Sequence, residues 1–164
     1  MKVCENGVVR DMTGEEMAVI NAMPVEPTQY DEQIATFNAL RLLFDGKTPT
    51  TADERIQCGA IYPEWAAGNH NVGEIYNALG QVWECYQAYD NAIYTDVEPH
   101  NAAWHTFNRP LHGTTPETAR EFVQPTGAHN TYKTGEYAIY NGKLYKCIQD
   151  TAYSPDDYVT AWEN

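Results

Sequence analysis

The sequence predicts an α+β chain in which short N-terminal helices are followed by two small antiparallel β-hairpin modules. Three observations carry this expectation. Of the 20 Phe, Trp and Tyr residues, only Tyr30, Phe37 and Phe44 precede residue 62. Apolar residues before that point recur at helical spacing. Beyond it, the stretch 73–87 recurs without a gap at 135–149, and such self-similarity marks a repeated structural unit.

The helices come first. Thr13 with Glu16 three residues later is a capping-box start, and Pro24 closes that helix. A second helix runs from about Thr28 to Phe44, with Tyr30, Ile34, Phe37, Leu40, Leu43 and Phe44 at helical spacing and Gly46 as its stop. A third, Thr51 to Ala60, ends before Pro63. The 28–44 helix carries more apolar positions than so short a segment can bury alone, so residues 1–61 are expected to serve attachment or homo-oligomerisation.

The repeat defines the rest. Gly73/Gly135, Glu74/Glu136, Ile75/Tyr137, Gly80/Gly142, Val82/Leu144, Trp83/Tyr145, Cys85/Cys147 and Gln87/Gln149 match at a constant offset of 62. Upstream, Gly68-Asn69-His70-Asn71 answers Gly127-Ala128-His129-Asn130, and downstream the copies close on Trp104 and Trp162. Residues 62–107 and 127–164 are thus expected as two modules, joined by a linker at 108–126. In the second copy Asn141-Gly142 lies between β-prone runs, the dipeptide that favours a type I′ hairpin turn. In the first copy the corresponding pair is Leu79-Gly80.

Charge and cysteine usage exclude several classes. The net charge is -13, and no basic cluster exists that could neutralise a row of phosphates or an anionic membrane surface, so neither nucleic acid nor membrane is expected as a partner. No stretch approaches the roughly 20 apolar residues of a membrane span, and MKVCENGVV lacks the basic start and apolar run of a secretion signal. Cys4, Cys58, Cys85 and Cys147 show neither CxxC nor Cys/His ligand spacing, which points to free thiols.

Catalytic motifs are missing as well. Glu64, Glu74, Glu84, Asp90, Asp96, Glu98, Glu136 and the pair Asp156-Asp157 supply carboxylates in number. However, units of about 40 residues rarely desolvate one enough for two-carboxylate hydrolysis. His70, His100, His105, His112 and His129 form no HExxH, and there is no GxSxG, P-loop or GxGxxG. No enzyme, metal or cofactor is expected.

The run Tyr132-Lys133-Thr134-Gly135-Glu136-Tyr137-Ala138-Ile139-Tyr140-Asn141-Gly142-Lys143-Leu144-Tyr145-Lys146-Cys147, followed by Tyr153-Ser154-Pro155 and Trp162, resembles the family 5 and 12 carbohydrate-binding modules, the small chitin-binding domains appended to bacterial chitinases. The first copy departs from that pattern at Leu79, and four extra residues separate Cys85 from Trp104. Residues 7–16 are similar to the openings of small phage and prophage tail-region proteins.

The resemblance implies a twisted antiparallel sheet, a surface row of aromatics stacking on N-acetylglucosamine rings, and no catalysis. The family's main sugar contact, the aromatic just before the proline step, falls on Tyr153, with Tyr94 as its expected first-copy counterpart. Tyr158, Gln149 and Gln87 complete the expected contacts, a flat ring covering the apolar face of a pyranose while amides bond its hydroxyls. Trp104, Trp162, Tyr137 and Tyr145 are expected in the module cores, and Tyr62 and Trp65 at the junction with the helices. The expected partner is a chitin-like or peptidoglycan-like polysaccharide, engaged by a virion-associated or extracellular protein made in the bacterial cytoplasm. The alternative is a structural tail component whose modules contact protein.

Overall fold

Two hairpins of identical register organise the chain. The computed structural model describes residues 48–164 continuously and, before them, residues 2–5, 8–11 and the single positions 13, 33, 36, 40 and 46. The fold is mixed, with most elements being strands in small, mainly antiparallel sheets. The helix start at Thr13 and most of the 28–44 helix, with the oligomerisation surface expected on it, lie outside the described residues. Gln33, Thr36 and Leu40 are helical.

The N-terminal region is not helical throughout. Strands β1 (Lys2–Glu5) and β2 (Val8–Asp11) pair antiparallel with Glu5 opposite Val8. The intervening Asn6-Gly7 is the hairpin dipeptide found again at Asn141-Gly142. Helix α1 (Ala52–Gln57) starts as its sequence predicts, with Thr51 and Glu54 forming a reciprocal capping box. The Glu54 carboxylate accepts from the backbone N–H of Thr50 and of Thr51 at 2.8 and 3.0 Å, and these bonds hold its pKa down at about 2.

In the first repeat β4 (Ile75–Ala78) pairs with β5 (Gln81–Cys85), and in the second β9 (Tyr137–Tyr140) pairs with β10 (Lys143–Cys147). The strand limits differ by the sequence offset. Both turns place two residues in the left-handed region, Leu79 and Gly80 (φ 54° and 71°) and Asn141 and Gly142 (φ 52° and 72°). A leucine therefore holds a conformation that favours Asn or Gly.

The hydrogen bonding extends each repeat in both directions. The short strand β3 (Asn69–His70) pairs with β6 (Tyr89–Asp90), His70 opposite Tyr89, and Tyr132 bridges Thr151 in the same way. Tyr132, not His129, is thus the counterpart of His70. Upstream, Glu64 bridges Asn77 in parallel, as Glu121 of β8 (Arg120–Glu121) does Ile139. Trp65 and Phe122 then donate to the carbonyls of Asn77 and Ile139, each at 2.8 Å.

The closing strands are β7 (Asn108–Pro110) beside β5 and β11 (Trp162–Glu163) beside β10. Cys85 faces Asn108 and Cys147 faces Trp162, so Asn108, not Trp104, stands where Trp162 stands. Trp104 lies one turn earlier, in helix α2 (Trp104–Phe107).

The segment 108–126 is no linker, because it supplies β7 to the first sheet and β8 to the second. Asp53 of α1 fastens its middle, accepting from the Thr114 N–H at 2.8 Å and from the hydroxyls of Thr114 and Thr118. Gly113 passes so close that a Cβ there would collide with the Thr118 carbonyl oxygen.

Three apolar clusters hold these parts. Tyr76, Trp83, Cys85, Tyr89, Val97, Trp104 and Phe107 fill the first repeat, while Tyr132, Ala138, Cys147, Ala161 and Trp162 fill the second. Ile56, Val82 and Leu111, with Tyr62 and Ile75 against them, fasten α1 onto the first sheet. Cys58, Cys85 and Cys147 are buried free thiols, and burial pushes Cys85 and Cys147 up to about 11.

Two predictions follow from this construction. Leu79→Asn should stabilise the protein by about 1 kcal/mol, relieving a left-handed leucine; a chemical denaturation midpoint that stays or falls would contradict this. Glu54, with an ordinary value of 4.5, contributes stability above that pH and loses it as pH falls towards about 2. Glu54→Gln should therefore flatten the decline in melting temperature across that interval while lowering stability at neutral pH.

Candidate functional site

The residues expected to meet a ligand form one aromatic pair and one separate ring. After the Tyr132–Thr151 bridge the chain turns at Ser154, whose carbonyl accepts from the N–H of Asp157 and of Tyr158 at 3.1 and 3.0 Å. The Ser154 hydroxyl locks this turn by donating to Asp157 at 2.6 Å. The turn leaves Tyr153 60% and Tyr158 36% exposed. Their rings stand perpendicular, with centroids 6.3 Å apart.

Tyr153 is fixed from below. Its carbonyl accepts from the indole N–H of buried Trp162 at 3.1 Å, and its own N–H donates to the Thr151 hydroxyl at 3.0 Å. An exposed ring is thereby held by a backbone that is itself part of the core.

Tyr94 does not reproduce this arrangement. Asp90 accepts from the N–H of Ile93 and of Tyr94 as Ser154 does from Asp157 and Tyr158. Tyr94 thus matches Tyr158, and it is not the equivalent of Tyr153. It is 44% exposed and leans on Phe107, with centroids 5.0 Å apart. It shares no ring contact with Tyr153 or Tyr158 among the described residues. Gln149 and Gln87 are exposed, and their backbone carbonyls receive the thiols of Cys147 and Cys85 at 3.1 and 3.3 Å. Of the aromatics expected in the cores, Trp104 and Trp162 are buried and Tyr145 packs against the second cluster. Tyr137 is half-exposed beneath the Lys146 ammonium.

Tyr62 is at the junction with α1, as expected, whereas Trp65 packs within the first repeat. Trp65 lies edge-on against Trp104 and donates to the Tyr89 hydroxyl at 2.8 Å, while Tyr62 packs in the cluster under α1.

The sequence reading missed a boundary between the repeats. Exposed Tyr86 stacks on His129 with centroids 4.6 Å apart, the Arg109 guanidinium lies over the Tyr86 ring at 5.8 Å, and His129 contacts the His105 carbonyl at 2.7 Å. Position alone offered a signal, since Tyr86 and Ile148 each follow the repeated cysteine and both are exposed. Nearby, a cleft of about 240 Å³ is lined by Arg109, His112, His129, Asn130, Lys133 and Glu136. There the His112 ring lies flat on Tyr132 and contacts Glu136 at 2.9 Å.

Several of the carboxylates are engaged in structure. Glu84 pairs with Arg55 and Arg109, at 3.5 and 2.5 Å. Burial would raise the pKa of Glu74, but hydrogen bonds from Asn71 and His70 bring it below the usual carboxylate range. The Thr134 N–H and Lys133 lower Asp150 in the same way. Such shifts run opposite to what a general acid requires. Among the described residues no group of three or more His, Cys, Asp or Glu side chains is placed to hold a metal ion.

No known family model matches the chain, and no curated protein matches it.

The burial pattern separates binding from packing by mutation. Trp162→Ala should cost about 3–5 kcal/mol, as loss of a core Trp does. Tyr153→Ala should stay within about 0.5 kcal/mol of the parent, as exposed positions do. Equal losses in urea denaturation would show that Tyr153 is part of the core.

Proposed function

We propose that the protein is a non-catalytic binder of an amino-sugar polysaccharide, chitin-like or peptidoglycan-like, displayed on a phage or prophage particle for contact with a cell surface. The reading joins the sequence resemblance to one structural observation. Tyr153 presents an exposed ring on a backbone held rigid by Trp162, with Tyr158 at right angles beside it. A rigid exposed ring covers the axial C–H face of a pyranose with little loss of conformational freedom. Gln149 lies on the same repeat, exposed and available to sugar hydroxyls. Tyr94, with Gln87, offers a second, weaker contact on the first repeat, and two sites on one chain raise effective affinity for a repetitive polymer.

The rival reading is a structural tail component. It is favoured by aliphatic neighbours of the same rings, since Ile93 and Val159 are 73% and 68% exposed beside Tyr94 and Tyr158. Such mixed patches suit protein contacts.

Retention on insoluble chitin and peptidoglycan decides between them. Tyr153→Ala should weaken retention several-fold, corresponding to about 1 kcal/mol of stacking. Adding Tyr94→Ala should remove the gain from bivalency. A parent protein retained on neither polymer, or two variants retained as well as the parent, would leave the tail-scaffold reading in its place.

A further inference from the structure

Arg120 is the cation whose surroundings the fold leaves unexplained. It opens β8, at the edge of the second sheet, and lines a cleft of about 580 Å³ with Leu79, Gly80, Gln81, Glu121 and Ile139. The cleft therefore lies between the first repeat's hairpin turn and the second repeat's sheet. Gln81 spans it, donating to the Glu121 carbonyl at 3.0 Å. That volume falls within the range of small-ligand sites.

Every other arginine with a described side chain has a carboxylate, since Arg55 and Arg109 share Glu84. Arg120 has only backbone carbonyls. Its Nη1 donates to Ala119 at 2.8 Å and to Glu117 at 3.5 Å, and Nε and Nη2 have no acceptor among the described residues. Burial alone displaces its pKa, downward, with no neighbouring acid acting on it. Arginine nonetheless remains charged. In a chain of net charge -13, a half-buried guanidinium without a counter-ion is left with the Nε and Nη2 donors of its planar fork free. That geometry matches a carboxylate, whose two oxygens take two parallel N–H donors.

We propose that the cleft at Arg120 takes a carboxylate group, and that the polysaccharide is one whose sugars carry acids. This rests on the carbohydrate reading and narrows it, from amino sugars in general to an acidic, peptidoglycan-like polymer over neutral chitin.

The test titrates the full chain with N-acetylmuramic acid and with N-acetylglucosamine, which differ by a lactyl carboxylate, following the Arg120 Nε–H resonance and the Tyr153 ring by NMR. The acid should bind about tenfold more tightly, as a charge-assisted pair allows, and should shift the Arg120 signal. Arg120→Gln should reduce the acid to the affinity of the neutral sugar and leave the neutral sugar unaffected. Arg120→Lys, which keeps the charge without the fork, should retain part of the preference and guards against a folding defect in the first variant. Equal affinities in the parent, or a preference that survives Arg120→Gln, would overturn the carboxylate site while leaving glycan binding intact. If glucuronate shifts Arg120 but no polymer is retained, the anion site stands and the carbohydrate reading falls.

Discussion

A short crossing governs how the two repeats can sit. Pro110 ends the last strand of the first sheet and Arg120 begins the first strand of the second, so residues 111–119 join the two sheets directly. The Asp53 carboxylate takes up the N–H and hydroxyl of Thr114 and the hydroxyl of Thr118. Burial would raise its pKa, but those donors outweigh it and hold the group ionised. The bare approach of Gly113 to Thr118 is the steric counterpart of the same clasp. Helix α1, the crossing and both sheets therefore depend on one another, and the cleft beside Arg120 exists because they do.

The two repeats share a plan and differ in what covers them. Val82 and Leu144 occupy the same strand position, yet Val82 is 4% and Leu144 38% exposed. Ile56 of α1 and Leu111 cover the first. Nothing described covers the second. One sheet is thus packed on both faces and the other on one, which accounts for the continuous burial of Gln81–Trp83 against the open start of β10. Chemically similar residues follow different fates because a neighbour from elsewhere in the chain is present in only one case.

Local chemistry made much of this visible in the sequence. The 62-residue offset placed both hairpins, and Asn141-Gly142 marked one turn outright. The helix expected from Thr51 begins there as α1 and ends at Gln57. Tertiary pairing hid the rest. The parallel bridges through Glu64 and Glu121 involve too few residues to leave a periodic signal, so 108–126 read as a connection. His129 aligned with His70 by local spelling, but strand pairing follows Tyr132. Trp104 drew attention as a closing tryptophan, whereas Asn108 takes the pairing position by accepting the Tyr76 hydroxyl through its side chain. The hairpin of β1 and β2 carried its own signal in Asn6-Gly7, which the helical reading of the N-terminal third obscured. Of the residues expected to meet a ligand, Tyr153 and Tyr158 are found side by side, and Tyr94 stands apart.

On the proposed carbohydrate reading, the clasp at Asp53 bears on how two weak contacts cooperate. Tethered binders on a floppy connection search a volume and tolerate many spacings. Here the connection is built into both sheets, so Tyr94 and Tyr153 are held like two marks on a ruler. A polymer whose sugar faces recur at that interval would meet both marks at once, and one with a different pitch would meet only one. Discrimination between glycans would then reside in spacing as much as in any single ring.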